Sequence, residues 1–439
     1  MQRLHIAATV HTNPQGCRVS AIHWEVERGE MSQEMRQFAA WTTAALAVLI
    51  AALALTACGS SGSSSETTSS GASSGSGESG DPSESGDPSG SGESASSSEV
   101  AQEVEASLTA TPTKYEGPTE PVKPPAKPLK VGLIACDDAL RGCVTPLEAA
   151  AEAAQKLGWT TTMYDGKSDP NTQNAAFLNA VASGDEAIIE TSMNPDLIQQ
   201  GLAAAKKANV PVISASAGYS EPNPTLEFPG KLSPIFDVSQ DVPAEGKQVA
   251  NWIINDSEGK GDVLLVSDPA YTLPTVFINN TKEQLESACP ECSVSNINIS
   301  GTQLATTGPG QLVGELKANP EIHYVVAPYD PGAAAFVPAL AQAGLTDIKM
   351  CSELGLEENV KFIREGQIQT CDAAWDNRYM GYATVDQLLR YLAKQPPSKP
   401  LGENIPYVLL EESNLPPEGE DWMASFPYTE KFLELWGVE

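Results

Sequence analysis

The sequence predicts an α/β protein with two lobes, each built on a doubly wound parallel sheet. A signal peptide and a disordered linker precede the two lobes. Two series of short apolar runs alternate with longer segments of helical spacing, the first from Leu129 and the second from Asp262. Strands that alternate with helices form parallel sheets with helices on both faces. Each series has the length of one small domain, so we expect two lobes.

The first series supplies four strand-like runs, which are LKVGLIA (129–135), WTTTMYD (159–165), EAIIETS (186–192) and VPVISAS (210–216). The segment LEAAAEAAQKLG is rich in alanine and carries its apolar residues on one stripe, which predicts an amphipathic helix. Two further helices are expected in NTQNAAFLNAVASG and PDLIQQGLAAAKKAN. The order βαβαβαβ calls for a parallel sheet that is covered on both faces.

The second series repeats this order, with strands expected in DVLLVSD (262–268), SVSNINIS (293–300), HYVVAPY (323–329) and DIKMCSE (347–353). The helices between them are TVFINNTKEQLESAC, GQLVGELKANP and AAFVPALAQAGL. Two such lobes leave a cleft between the carboxyl ends of their strands, where ligands of open α/β sheets bind.

An export segment precedes the folded part. Residues 38–57 are almost uncharged, a short basic start precedes them, and the run ends at Leu55-Thr56-Ala57-Cys58, which resembles a bacterial lipobox. We therefore expect residues 31–57 to be a lipoprotein signal peptide and Cys58 to carry a lipid at the extracytoplasmic face of the cell membrane. A transmembrane helix is the alternative, since about 20 apolar residues can span a bilayer. No basic stop-transfer cluster follows the run.

The flanks of this segment have different expected roles. Residues 1–30 do not fit in front of a signal peptide, so we expect the true start at Met31 or Met35. Residues 58–128 are rich in Ser, Gly, Pro and acidic residues, and such a segment cannot offset its ordering entropy. We expect a disordered linker whose proline-rich end, PVKPPAKP (121–128), marks the domain boundary.

Six cysteines follow Cys58, and an even count in an exported protein indicates disulfides. Fifteen pairings are possible. We favour Cys136 with Cys143, Cys289 with Cys292, and Cys351 with Cys371. The CPEC segment at 289–292 has the spacing of a redox pair, but it lies between a helix and a strand, where a structural disulfide is the better interpretation.

Charge and histidine content exclude several classes of function. The net charge of -31 argues against nucleic-acid binding, which requires clustered Lys and Arg. His323 is the sole histidine after Cys58, which leaves little basis for a metal site or a histidine base. The sequence contains no GxSxG, HExxH or P-loop pattern. We expect neither an enzyme nor a cofactor or metal.

Several stretches resemble one family. SDPNTQNAAFLNAVASGDEAIIETS (168–192), KKANVPVIS (206–214), QDVPAEGKQVANWI (240–253) and VVAPYDPGAAAFVPALAQAGLTDIKM (325–350) are similar to type I periplasmic solute-binding proteins of the ribose and galactose type, which feed ABC transporters. The resemblance implies periplasmic-binding-protein-like lobes at 129–239 plus 376–404 and at 240–375 plus 405–439, joined by a three-strand hinge. We expect the C-terminal extension to pack Trp422, Phe426 and Trp436 on the second lobe.

Ligand contacts are expected in the loops that follow strands. These loops are 136–143, 191–194, 216–219, 268–272, 329–330, Glu353 and 375–377. The residues expected to bind ligand are Asp137, Asp138, Arg141, Thr191, Ser192, Ser216, Tyr219, Tyr271, Tyr329, Asp330, Trp375, Asp376 and Asn377. Asp330 could instead cap the helix that follows it.

The polar clamps of sugar-binding members are missing from this sequence. Such members place an asparagine and two phenylalanines in the first loop and an Asp-Arg pair after the fourth strand, whereas this chain has CDDALRGC and Ser216-Ala217. Sugar-binding members also carry an arginine at the start of the first helix of the second lobe. The corresponding position in this chain lies near Val276 and Phe277, which are apolar. Aromatic and acidic residues remain, and these suit a polyol, a nucleoside-like ring or an amine.

The resemblance implies a lipid-anchored monomer that captures a small polar ligand, a sugar or sugar-like molecule, and delivers it to an ABC permease and its ATPase. Two alternatives stay open. One is a ligand sensor for a membrane signalling receptor, and the other is a binder of a non-sugar ligand such as an amine or a nucleoside-like molecule.

Overall fold

A computed structural model describes residues 97–109, 111–217, 231–304, 306–399 and 401–438. The predicted signal peptide, Cys58 and Tyr219 lie outside these residues. No helix within the described ranges is long and apolar enough to cross a membrane.

The first sheet is parallel and contains five strands in the order β2-β1-β3-β4-β5. The strands are β1 Lys130–Ala135, β2 Thr160–Asp165, β3 Ala187–Thr191, β4 Val212–Ala215 and β5 Phe236–Val238. The helices of this part are α2 Arg141–Lys156, α3 Pro170–Ala182 and α4 Gln199–Ala208, and a helix α1, Ser97–Thr109, precedes them. The predicted alternation of four parallel strands with three helices is confirmed, and β5 extends the sheet.

The second sheet has six strands in the order β11-β10-β9-β8-β6-β7, of which β11 is antiparallel to β10. The strands are β6 Asp262–Ser267, β7 Ser293–Asn298, β8 Tyr324–Val326, β9 Lys349–Leu354, β10 Gln369–Trp375 and β11 Tyr407–Leu410. The helices are α5 Val242–Asp256, α6 Thr272–Ala288, α7 Gly301–Leu304, α8 Gly308–Ala318, α9 Asp330–Gln342, α10 Glu357–Arg364, α11 Asn377–Leu392 and α12 Tyr428–Trp436. Short 3₁₀ turns occupy Leu401–Asn404 and Glu412–Asn414.

Local sequence explains where these elements begin and end. The strand β1 is an almost continuous apolar run and is buried along its length, as expected for a central parallel strand. Helix α3 begins after Asp169, whose carboxylate accepts a hydrogen bond from the Thr172 amide, and Pro170 occupies the first helical position. Helix α4 ends at Asn209 in the left-handed conformation, which asparagine adopts more easily than most residues.

The three favoured disulfides are formed in the structure. Cys136–Cys143 closes the loop after β1, Cys289–Cys292 joins the end of α6 to the start of β7, and Cys351–Cys371 links the neighbouring strands β9 and β10. The CPEC pair therefore lies at a helix-to-strand turn, where it fixes chain direction.

Three segments cross between the two sheets, at 239–241, 375–377 and 405–406, as the three-strand hinge predicts. The chain before β1 adds a fourth crossing that the sequence analysis did not expect. Helix α1 buries Val100 and Val104 against α5 of the second lobe. Farther along, the Val122 amide donates to the Leu435 carbonyl, and Tyr115 packs on the ring of Tyr379.

The structure differs from the expected linker boundary at residue 128, because part of the chain before β1 is already packed on the lobes. Val100, Val104 and Leu108 recur every four residues, so α1 has an apolar face that packing against α5 and β11 removes from water. The described part of the expected linker, from Ser97 onward, includes this helix and packed chain.

The C-terminal extension also differs from the expectation. Trp422 does pack with Ala374 and Val408 of the second sheet. Helix α12, however, packs on α11, and the ring of Trp436 stacks on that of Tyr382 at a centroid distance of 6.1 Å. Because α11 packs on α2 of the first lobe, α12 and Trp436 belong to the first-lobe side rather than the second.

A buried ion pair fixes this corner of the molecule. The Arg390 Nε donates to Asp386 Oδ2 at 2.6 Å, and both side chains are at most 2 % exposed. The Trp436 indole donates to the second oxygen of Asp386 at 2.7 Å, and Arg390 also donates to the Glu120 carbonyl at 2.8 Å. The pair therefore joins α11 to both terminal segments.

Helices α11 and α2 approach closely at Gly381. A Cβ atom at this position would lie 2.6 Å from the Ala149 Cβ and would also overlap the Pro146 carbonyl. We expect Gly381→Ala to lower the free energy of unfolding by about 2 kcal/mol because the two helices must separate. Thermal and denaturant unfolding measure this change.

Gly314→Ala is the matched control, since Gly314 lies inside α8 with open space around the added methyl group. We expect this variant to gain about 0.5–1 kcal/mol from helix propensity. Equal destabilisation by the two substitutions would contradict the close approach of α11 and α2.

Candidate functional site

A cavity of about 50 Å³ lies between the carboxyl ends of the two sheets. The first lobe contributes the loops that follow β1, β3 and β4, and the second contributes the start of α6 and the ends of β8, β9 and β10. The lining residues are Cys136, Leu140, Gly142, Cys143, Ser192, Ser216, Tyr271, Leu273, Pro274, Tyr329, Pro331, Glu353, Leu354 and Trp375.

Contacts across the mouth hold the lobes in a closed arrangement. The Tyr271 hydroxyl of the second lobe donates to Ser168 Oγ of the first at 2.8 Å, and Ser168 in turn donates to Asp137 at 2.7 Å. Arg141, at the start of α2, pairs with Asp421 in the C-terminal extension. Asp421 also accepts a hydrogen bond from the Glu357 amide, so this contact is anchored on the second lobe.

The disulfide Cys136–Cys143 forms the first-lobe wall. The Thr191 hydroxyl accepts from the Cys136 amide at 3.3 Å and donates to the Cys143 carbonyl at 2.9 Å, which ties the loop to the end of β3. Ser192 and Ser216 follow β3 and β4 with φ angles of 55° and 64°. Left-handed non-glycine residues are uncommon, and they concentrate at functional sites.

Two tyrosines and an aspartate form the opposite wall. The Tyr329 hydroxyl donates to Asp268 at 2.8 Å, and the same carboxylate accepts from the amides of Gly301 at 2.7 Å and Ala270 at 3.0 Å. The rings of Tyr329 and Tyr271 meet edge to face, with centroids 6.2 Å apart. Both hydroxyl groups therefore have protein partners, and both rings are held in place.

Glu353 and Trp375 supply polar atoms that have no partner in the protein. Both side chains are at most 1 % exposed and line the cavity, yet neither oxygen of Glu353 nor the indole nitrogen of Trp375 is hydrogen-bonded. An unsatisfied buried polar group costs free energy. A ligand in the cavity could satisfy both.

Further carboxyl groups lie behind Glu353. Burial raises the pKa of Glu353 well above its usual range, and the charges of Glu245 and Asp330 raise it further. Burial raises the pKa of Asp372 to about 7 and drives the pKa values of Glu245 and Asp330 well above normal. Burial in this group of carboxyls therefore favours the protonated form of Glu353.

Five of the predicted ligand residues line the cavity, namely Ser192, Ser216, Tyr271, Tyr329 and Trp375. Asp137 and Arg141 lie at its rim in the contacts that join the lobes. Asp138 is exposed, and its amide donates to Asp165.

The other predicted residues support the walls from behind. Thr191 ties the first loop, and Asn377 donates to the Leu354 carbonyl at 3.2 Å. Asp376 caps α11 by accepting from the amides of Arg378 and Tyr379, and burial raises its pKa to about 6. Asp330 does not cap α9, because its carboxylate accepts instead from the Leu356 amide and the Ser352 hydroxyl.

Glu353 was expected at the cleft edge but not among the ligand residues. A carboxylate within the apolar run that ends β9 was the available signal. The apolar lining residues Leu140, Leu273 and Leu354 carried no such signal, because leucine in these positions is equally typical of the core.

Among the described residues, the hydrogen bond from the Tyr271 hydroxyl to Ser168 joins the cavity tyrosines of the second lobe to the first lobe. We expect Tyr271→Phe to lower the ratio of closed to open molecules about fivefold, since one net hydrogen bond contributes about 1 kcal/mol. Energy transfer between dyes on the two lobes measures this ratio.

Tyr324→Phe is the control, since it removes a hydroxyl bonded to Asp256 within the second lobe. An equal ratio in wild type and Tyr271→Phe would contradict a role for this bond in closure.

Known proteins share this sequence pattern and fold. The chain is 20% identical to the ribose import binding protein of Escherichia coli, in an alignment that covers 55% of this chain and 79% of that protein. It is 22% identical to a xylitol-binding protein of Mycolicibacterium smegmatis over 45% of its length and 54% of that protein.

Solved structures give the same fold. An ABC transporter solute-binding protein from Mycobacterium smegmatis with bound glycerol has a TM-score of 0.58 at 19% identity, covering 68% of this chain and 100% of that one. The myo-inositol binding protein of Caulobacter has a TM-score of 0.57 at 15% identity, covering 66% and 96%. A family model described as periplasmic binding protein domain matches residues 141–396, more than half of the 439 residues, and the chain therefore belongs to this family of solute-binding proteins.

Proposed function

We propose that this protein captures a small organic solute between its lobes and delivers it to an ABC permease and the associated ATPase. The observation that carries the proposal is a closed cavity in which Glu353 and Trp375 keep buried, unpartnered polar atoms. The relatives named for ribose and xylitol support a transport role.

Closure provides both affinity and signal. The first-lobe disulfide loop and the second-lobe tyrosines enclose the solute, and the contacts made by Tyr271 and Arg141 form only when the lobes meet. A solute that contacts both walls shifts the population toward the closed form. The permease then distinguishes loaded from empty protein by the distance between the lobes.

We place the protein outside the cytoplasm as a lipid-anchored monomer. The lipobox-like end at Cys58 supports the anchor, and the Ser/Gly-rich segment after it supplies reach, about 5–6 Å times the square root of its length in residues. Such a tether keeps the solute trap beside its membrane partner.

We assign no catalytic step to the cavity. Its lining residues include no histidine, lysine or arginine, and Glu353, the carboxyl group of the lining, makes no hydrogen bond to either of the two serines. Nucleophilic catalysis requires such a base within hydrogen-bond reach.

A thermal-shift panel of sugars, polyols, nucleosides and amines identifies the solute, because a ligand that binds only the folded form raises the melting temperature. We expect Trp375→Ala to weaken binding of the panel's best ligand at least tenfold. The variant removes one wall of the cavity together with its indole donor.

Trp252→Ala is the control, because Trp252 lies outside the cavity and donates to Glu411. Calorimetric titration of both variants provides the comparison. Unchanged affinity in Trp375→Ala would remove this residue from the site, and a panel without any ligand would count against solute capture.

The anchor has a separate test in cells of a lipoprotein-producing bacterium. We expect Cys58→Ala to abolish incorporation of radiolabelled palmitate into the protein, because no sulfur remains for lipid attachment. Ser65→Ala, in the segment after Cys58, is the control and should be labelled like wild type. Labelling of Cys58→Ala would disprove lipidation at this residue.

A further inference from the structure

We propose that the solute is a small organic ammonium ion with apolar substituents, held by the Glu353 carboxylate inside an aromatic and aliphatic cavity. This inference rests on the proposed function, since it takes the interlobe cavity as the solute site. It narrows the ligand to a chemical class that the names of the relatives do not indicate.

The cavity offers few partners for a ligand with many hydroxyl groups. The two tyrosine hydroxyls already bond to Ser168 and Asp268. The lining contains no Asn, Gln, Lys, Arg or His, so the remaining side-chain groups are Glu353, the Trp375 indole and two serine hydroxyls. A sugar would bury several hydroxyls without partners, and each unpaired one would weaken binding roughly tenfold.

The groups around Glu353 are carboxyls, and none of the described ones is basic. Glu245 of α5 and Asp330 of α9 act on Glu353, and Asp372 of β10 lies in the same group of carboxyls. No basic side chain contributes to the described surroundings of Glu353. Buried charges in proteins are normally paired, so Glu353 needs a cationic partner once it loses its proton, and an ammonium group would supply that partner.

The remaining walls fit an organic cation better than a metal ion. Trp375, Tyr271 and Tyr329 present aromatic rings to the cavity, and such rings attract cations over their faces. Leu140, Leu273 and Leu354 would contact hydrocarbon substituents. Hard metal ions require six or more oxygen ligands, whereas the cavity lining has one carboxylate.

This class of ligand predicts a pH dependence with a definite sign. Burial raises the pKa of Glu353, so its protonated form is favoured and must lose its proton to pair with a cation. Affinity for an ammonium ion should therefore rise with pH, by at most tenfold per pH unit when one proton is released. Burial also raises the pKa values of the neighbouring groups Glu245, Asp330, Tyr271 and Tyr329, whereas Asp372, with a pKa of about 7, titrates near neutral pH.

The experiment compares ligands that differ in charge alone. Tetramethylammonium, choline and n-butylammonium are titrated calorimetrically into the full chain, each beside its neutral carbon isostere, such as 3,3-dimethylbutan-1-ol for choline. Xylitol, ribose and glycerol form the third arm. We expect at least one ammonium ion to bind 20-fold more tightly than its isostere and more tightly than every polyol.

Two variants test whether the preference for ammonium ions depends on the Glu353 carboxylate. Glu353→Gln should lower ammonium affinity at least 20-fold and remove its pH dependence. Glu190→Gln is the matched control, because Glu190 is equally buried but lies on β3 outside the cavity, and it should stay within twofold of wild type.

Other outcomes overturn the inference in distinguishable ways. Tight binding of a polyol or sugar with no ammonium binding would reject the ligand class and leave solute capture intact. Equal affinity for an ammonium ion and its isostere, or an affinity that falls as pH rises, would also reject it. Absence of binding across all three arms would count against both the ligand class and the proposed function.

Discussion

The close packing of α11 on α2 is the contact on which the position of the cleft depends. Helix α11 follows directly from β10 of the second sheet, yet it lies against a helix of the first lobe, and Gly381 removes the side chain that would keep them apart. The chain must therefore cross between the lobes at 375–377. Since Trp375 ends β10 at this crossing, the hinge itself brings the indole into the cavity.

The cleft is surrounded by a protein that is strongly acidic but satisfies most of its buried carboxylates internally. Asp268, Asp330 and Asp376 accept hydrogen bonds from backbone amides and hydroxyls, and these bonds hold the loops that form the walls. Glu353 differs because it has no such partner. The hydrogen-bonded carboxylates therefore hold the walls of the site, whereas the unpartnered Glu353 is available to a ligand.

The terminal segments show how far composition can mislead. SSEVAQEVEASLT has the polar content of a linker, but its larger apolar residues Val100, Val104 and Leu108 lie on one face, and the helix packs on α5 and β11. The aromatic residues of the C-terminal extension were expected on the nearer lobe, whereas Tyr428, Phe432 and Trp436 share one face of α12 and meet the rings of Tyr379 and Tyr382. Neither helix face was predicted, and sequence does not identify the partner of such a face.

The sequence by itself determined the alternation of strands and helices, the two lobes and the edge at which a site must lie, because strand and helix periods and βα connections are local properties. It also indicated Trp375 and the two cleft tyrosines. Only the tertiary structure decided that Arg141 pairs with Asp421 and that Glu353 faces the cavity unpartnered. Both depend on which side chains two distant segments bring together, and spacing along the chain carries no information on such contacts.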